Sequence, residues 1–270
     1  MASADVRTWR IDPVESERDQ RRAGAALARR GCVPGDRVAI AMPNSPGVLA
    51  LVLGAARTGV VPVLLNPGLL PAELDLLVAD AEPRLTVRDE AGLAALLESP
   101  DACELAPQPL CRPMHYTSGT SGRPKGVWSG VWSAEDAAAA HADEAAIWGL
   151  GADDVHLTCS PLYHSVAIRF SAQALLRGAA VVLLSRFDAV AVAEAIAREG
   201  VRSAFMVPTH LQRLLALPVL PDLSGLRRLV HAGAACPIPL KRRLLAVLAE
   251  DVLWEFYGST EGQFTVCPPG

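Results

Sequence analysis

The sequence predicts an α/β fold of mostly parallel sheets flanked by helices. Short apolar runs such as Arg37–Met42, Val60–Leu65 and Ala179–Leu184 alternate with longer stretches of helical periodicity, and Gly and Pro punctuate the joins. With 51% of its 270 residues hydrophobic, the chain has material for a sizeable core. Strands that alternate with helices pair in parallel, are covered on both faces, and present functional loops at their ends.

Taken in order, Arg18–Arg30 reads as a helix with Ala23, Ala26 and Leu27 on one side and arginines on the other, ended by Gly31. Pro34, Gly35 and Asp36 turn the chain into the strand Arg37–Met42, and Pro43–Pro46 breaks it. Val48–Thr58 is a buried helix closed by Gly59, followed by the strand Val60–Leu65. Pro71 suits the first turn of a helix to Ala81, and Arg84–Val87 is a short strand. Pro100–Pro113 is proline-rich and patternless, a connector. Ser133 with Asp136 three residues on fits a helix start, and the alanine-rich stretch to Ile147 has high helix propensity. Then come the strands Val155–Cys159 and Ala179–Leu184, a helix from Asp188 to Glu199, the strand Ala204–Val207, and a helix opened by Pro208 that carries Leu211, Leu214 and Leu215. The strand Leu226–Val230, a helix Leu240–Ala249 and the strand Val252–Phe256 complete the series.

A formal net charge of -4 gives no basic footprint, so nucleic acid is not expected as a partner. The six cysteines form no CxxC pair and no ligand spacing with histidine, which favours reduced thiols and a cytoplasmic protein. Charges from Arg7 to Arg22 leave no room for a signal peptide, and the apolar stretch Val48–Ala56 stops at Arg57, too short for an integral membrane segment.

The chemistry concentrates between His115 and Val127, HYTSGTSGRPKGV. Gly119 and Gly122 permit backbone conformations that bring several N–H groups onto one anion. Thr117, Ser118, Thr120 and Ser121 add hydroxyl donors, and Lys125 a mobile positive charge, so a polyphosphate is the expected guest. No hydroxyl residue follows the lysine, which excludes the Walker pattern. As it stands, YTSGTSGRPKG resembles the phosphate loop of the adenylate-forming (AMP-binding) superfamily, and is similar to acyl-CoA synthetases of the fatty-acid-CoA ligase type in particular. The opening stretches GDRVAIAMPNSP and ARTGVVPVLLNPGLLPAEL are similar to the start of the same enzymes.

The resemblance extends to Glu255-Phe256-Tyr257-Gly258-Ser259-Thr260-Glu261-Gly262. There it implies that Tyr257 and Gly258 flank adenine, that Thr260 meets the α-phosphate, and that Glu261 with Thr117 holds Mg²⁺. His231-Ala232-Gly233-Ala234-Ala235-Cys236-Pro237 is similar to a segment whose backbone, at Gly233, Ala234 and Ala235, lines the adenine and acyl sites. Pro161-Leu162-Tyr163-His164-Ser165 resembles a segment whose histidine borders the carboxylate substrate, so His164 is a gate or a carboxylate-orienting group. The acyl pocket is expected along Tyr163–Phe170, Val207–Leu211 and the 231–237 turn, its apolar flavour favouring a fatty or aromatic acid. His115, His141, His156 and His210 have no motif of their own, and Trp128 and Trp132 are expected to serve packing.

The resemblance further implies a division into a short charged leader, residues 1–24, and an N-terminal AMP-binding domain, residues 25–270, incomplete at its C-terminal end and without the small C-terminal domain. The expected partners are a small-molecule carboxylic acid, ATP, Mg²⁺ and coenzyme A, together with a homo-oligomer or a separately encoded C-terminal domain. Three readings stand at this point. The first is an acyl-CoA synthetase that forms an acyl-adenylate through Lys125 and Thr260 and passes the acyl group to coenzyme A. The second is a non-catalytic nucleotide- or acyl-binding remnant, and the third an adenylation module that charges a carrier protein.

Overall fold

A computed structural model describes residues 5–117 and 124–269. In chain order these form β1 (Thr8–Ile11), α1 (Pro13–Arg29), β2 (Arg37–Ile40), α2 (Pro46–Thr58), β3 (Val61–Leu64), α3 (Pro71–Ala81), β4 (Leu85–Val87) and α4 (Glu90–Leu97). There follow β5 (Met114–Thr117), β6 (Lys125–Val127), α5 (Ala134–Trp148), β7 (Val155–Thr158), α6 (Ser165–Leu176), β8 (Ala180–Leu184), α7 (Ala189–Glu199) and β9 (Ser203–Met206). The series ends with α8 (Pro208–Leu215), β10 (Arg228–His231), α9 (Ile238–Val247), β11 (Leu253–Gly258) and β12 (Gln263–Cys267). The chain divides into two units, one of Pro13–Gly149 with Leu162–Ile168, the other of Met1–Asp12, Leu150–Pro161 and Arg169–Gly270.

The first unit is built on a five-stranded sheet in the order β4-β2-β3-β5-β6. Its neighbours pair in parallel except β5 and β6, which are antiparallel at the edge. The sequence of α2, PGVLALVLGAART, is apolar on every side, and the helix is accordingly buried from Val48 to Arg57. Ser45 caps it by accepting from the Val48 N–H, and Gly59 closes it at φ 78°, a left-handed conformation that favours glycine.

α1 lies against α2 through its buried Ala23, Ala26 and Leu27, the side read from the sequence. The approach is close enough that a Cβ on Gly54 would stand 2.5 Å from the Gln20 carbonyl oxygen. The helix begins at Pro13, five residues before the expected Arg18, because Pro13 suits a first turn and Glu15 complements the helix dipole there.

The expected patternless connector before β5 is tied down. Cys103 N–H donates to the Arg21 carbonyl and Leu110 N–H to the Ala56 carbonyl. Arg57, 5% exposed, donates from Nε to the Ala106 carbonyl at 2.7 Å, from Nη1 to Gln20 Oε1 at 2.8 Å, and forms an ion pair with Glu17. Partial burial pulls the Glu17 carboxyl upward, yet hydrogen bonds from Arg57 and Arg21 leave it below the usual range.

The second unit carries a seven-stranded sheet, β1-β8-β7-β9-β10-β11-β12. Its interior pairs are parallel, and the edge strands β1 and β12 are antiparallel. Leu157, Val182, Leu229 and the helix residues Val192, Leu211, Leu214 and Leu244 share one core. Leu211, Leu214, Leu215, Leu240, Leu244 and Leu248 are all buried, as their spacing indicates.

Replacing Arg57 with alanine leaves Glu17 with Arg21 alone and removes the donor from the Ala106 carbonyl and the buried Gln20 oxygen, so the expected loss of stability is about 3 kcal/mol, measured by urea unfolding. Gly54→Ala is expected to lose roughly 1–3 kcal/mol by forcing α1 from α2. A change below about 0.5 kcal/mol in both would remove the basis for this packing scheme.

Candidate functional site

In the first unit the strands that bound the glycine and hydroxyl segment are fixed by register. Thr117 faces Lys125 across the β5/β6 pair, so the two residues stand side by side where the strands open. Thr117 is half-buried and Lys125 exposed. Ser118, Gly119, Thr120, Ser121 and Gly122 lie outside the described residues. Gly126 is crowded: a Cβ there would run into Met114 Cε and stand 3.5 Å from the Tyr116 ring. Tyr116 is pinned by a hydrogen bond to Asp80 Oδ2 at 2.5 Å, and burial, reinforced by that carboxylate, pushes its phenol up.

Leu162 to Ser165 of the PLYHS segment belong to the same unit and are held by contacts from Asn44 and His115. Asn44, buried in the loop between β2 and α2, accepts from the Leu162 N–H through Oδ1 at 2.7 Å. His115, buried in β5, donates from Nδ1 to the Tyr163 carbonyl at 3.0 Å. Burial lowers the His115 pKa from 6.5 to about 4, against the upward pull of that hydrogen bond, so the ring is neutral at pH 7. His164 meets solvent and lies beside Tyr163, with ring centroids 4.7 Å apart. Desolvation by its neighbours lowers its pKa too, which favours the neutral ring at pH 7.

In the second unit the remaining motif residues emerge at the carboxyl ends of β10 and β11. Gly233 turns the chain at φ 85°, with a Cβ position 3.3 Å from Val207 Cγ1, and Ala234 and Ala235 are exposed beyond it. Beneath this turn, Lys241 on α9 donates to Glu255 Oε2 at 2.6 Å and lies 3.3 Å from His231 Nε2. Burial holds the His231 pKa below its usual value, and the Glu255 carboxyl sits below its own through the Lys241 hydrogen bond, although desolvation acts the other way.

After β11 the chain reverses in a tight turn. Ser259 N–H donates to the Gly262 carbonyl at 2.8 Å and Gly262 N–H to the Ser259 carbonyl at 3.2 Å. A Cβ on Gly258 would stand 2.7 Å from the Gly262 carbonyl oxygen, so that position requires glycine. Thr260 is half-buried at the tip, and the exposed Glu261 accepts from Ser259 Oγ at 2.6 Å. Tyr257, 70% exposed, lies 5.8 Å from the Phe264 ring and offers an open aromatic face.

Each unit thus gathers its own motif residues. Asn44 and His115 join them through contacts between distant parts of the sequence, and Lys241 and Glu255 through contacts between successive elements. Trp128 and Trp132 lie under arginines, Arg37 and Arg112, at 5.1 and 5.4 Å. The six cysteines are unpaired, and among the described residues no group of three acidic, histidine or cysteine side chains is arranged to hold a metal ion. No helix among the described residues is long and apolar enough to cross a membrane.

Parallel sheets covered by helices, with glycine-bearing turns at strand carboxyl ends, define the class of α/β proteins that bind ligands beyond those ends. The chain belongs to the AMP-binding enzyme family, which matches residues 14–270. It is 34% identical over 257 residues to a feruloyl-CoA synthase of Amycolatopsis sp, covering 86% of this chain and 51% of that protein. It is 31% identical over 291 residues to the 4-chlorobenzoate--CoA ligase of Pseudomonas sp. (strain CBS-3), covering 96% and 54% respectively. The chain therefore spans about half the length of these relatives. The inhibitor-bound N-terminal domain of FACL13 from Mycobacterium tuberculosis shares the fold, with a TM-score of 0.80 at 24% identity over 95% of this chain and 71% of that one. The expected α/β architecture of such N-terminal domains is what the chain adopts.

The buried neutral histidines set an acid limit. A histidine whose folded pKa lies below 6.5 binds its proton more readily when unfolded, so stability falls as pH drops from 6.5 towards 4 for His115. The expected slope is up to about 1.4 kcal/mol per pH unit for each such group. His115→Asn should flatten the pH dependence in that window, read from urea midpoints; an unchanged slope would show that His115 is not buried neutral.

Proposed function

We propose that the chain performs the nucleotide-binding part of ATP-dependent carboxylate activation in an acyl-CoA ligase. The observation that carries this reading is the family match over residues 14–270, with CoA ligases among the most similar relatives. A carboxylate oxygen of the acid attacks the α-phosphorus of ATP, the bond to the bridging oxygen breaks, and pyrophosphate leaves. The thiol of coenzyme A then attacks the acyl carbonyl and displaces AMP. In-line displacement needs positioning and charge stabilisation above all, which suits main-chain N–H groups, hydroxyls and a lysine.

On this reading Ser118, Gly119, Thr120, Ser121 and Gly122 cradle the phosphates and Lys125 neutralises their charge. Tyr257 packs on adenine over the bare backbone of Gly258, Gly233, Ala234 and Ala235 approach the ring edge, and Thr260 donates to the α-phosphate. The exposed aromatic face of Tyr257 and the half-buried hydroxyl of Thr260 fit those roles. The Glu261 carboxylate, held by Ser259, and the Thr117 hydroxyl are hard oxygen donors of the kind Mg²⁺ takes. That ion, when bound, shields the phosphate charge. His164, neutral at pH 7, orients the substrate carboxylate. Both named relatives act on aromatic acids, as 4-chlorobenzoate and feruloyl denote, which favours an aromatic substrate here.

The test is MgATP binding by the chain and pyrophosphate release with aromatic acids, with a C-terminal domain of a related ligase added in trans. Lys125→Ala and Thr117→Ala are each expected to weaken MgATP binding by about tenfold or more. A folded chain with no affinity for MgATP overturns the proposal. Binding without pyrophosphate release, even with the added domain, favours the non-catalytic remnant.

A further inference from the structure

We infer that Lys241 is a positioning residue, which through Glu255 and His231 fixes the separation of two loops of its unit, the 231–237 turn and the Tyr257–Glu261 segment. The inference rests on the proposed function, which gives both loops to the nucleotide. Lys241 projects from the first turns of α9, directly after the 231–237 turn. Its ammonium touches both neighbouring strands at one register pair, since His231 of β10 lies opposite Glu255 of β11.

The protonation pattern follows from the contacts. An ammonium only donates, so His231 Nε2 accepts and the ring proton sits on Nδ1. That Nδ1 is sealed from solvent, makes no hydrogen bond, and lies 3.8 Å from Glu255 Oε1. In this cluster Lys241 holds one carboxylate oxygen of Glu255 and touches the imidazole, whose Nδ1 lies 3.8 Å from the other oxygen.

Gly233 follows His231 by two residues, and Tyr257 follows Glu255 by two. At about 3.3 Å per residue, each loop starts within roughly 7 Å of the cluster. An apolar side chain would fill the volume of Lys241 equally well. What the ion pair adds is direction, because its hydrogen bonds hold a helix and two strand ends in one arrangement. Cys236 lies in the same field, its thiol pushed up by burial while Lys241 and Glu255 act on it with opposite sign.

The experiment is a double-mutant cycle on the full chain with K241M, E255Q and K241M/E255Q, plus K241R. MgATP affinity by calorimetry and the thermal midpoint are measured on the same samples. K241M and E255Q should each weaken MgATP about tenfold, and the double variant should be no weaker than either single one. K241R, which keeps the charge and the donor, should return affinity to within about twofold of the parent. Variants that all bind within about twofold of the parent while the midpoint falls would reduce Lys241 to a brace and overturn the inference. Losses that simply add in the double variant would do the same. Should K241M fail to fold, E255Q and K241R decide by the same criteria. A binding parent with indifferent variants refutes this inference alone, whereas a parent that binds no MgATP refutes the proposed function and the inference together.

Discussion

Parallel strand pairing is the constraint on which the molecule depends. Two parallel neighbours cannot be joined by a short turn, so the chain must return across the sheet, and the return is made by helices that bury the faces. Every such crossover brings the next strand's carboxyl end to the same side. In the first unit this places the end of β5 beside the end of β3, and in the second it aligns β9, β10 and β11. Antiparallel pairs occur at the sheet edges, and two of them, β5/β6 and β11/β12, follow directly from motif-bearing strands. The Gly258–Gly262 segment is therefore both a strand end and a reversal.

The same architecture forces polar groups into places without water, and the chain resolves each case differently. Arg57 is enclosed by a carboxylate, an amide and a carbonyl, each of which accepts from its guanidinium. His156, stacked near Phe170 and bonded to Ser203, gives up its charge, its pKa lowered by burial to about 3. His115 does likewise, and in doing so supplies the donor that holds the PLYHS segment. A cation in either histidine position would lose its hydration with no acid to replace it among the contacts described.

Local chemistry made much of the fold legible. Ser133 accepts from the Asp136 N–H, Gly59 closes α2, and Pro71 and Pro208 open α3 and α8, as their residue types indicate. The segments that escaped are those whose stability comes from elsewhere in the chain. β1 is a half-exposed TWRI that becomes a strand only by pairing with β8, and β12, QFTVC, is largely exposed. α6 interrupts its apolar residues with Arg169 and Gln173, and α4 is a short helix capped by Asp89. The candidate site divides in the same way. Its motif strings are contiguous and visible, whereas Asn44 acts on a residue 118 positions away, His115 on one 48 positions away, and Lys241 on two strands at once. No periodicity encodes such meetings.

β12 has a colloidal consequence. Among the described residues its sheet neighbour is β11, and it carries Phe264, 61% exposed, next to the open ring of Tyr257. A flank of this kind invites a second polypeptide to dock alongside by main-chain hydrogen bonding, and a net charge of only -4 gives little repulsion to keep molecules apart. Concentrated preparations of the isolated chain will accordingly stick together through this border, and a charged side chain in place of Phe264 is the substitution that keeps them dispersed.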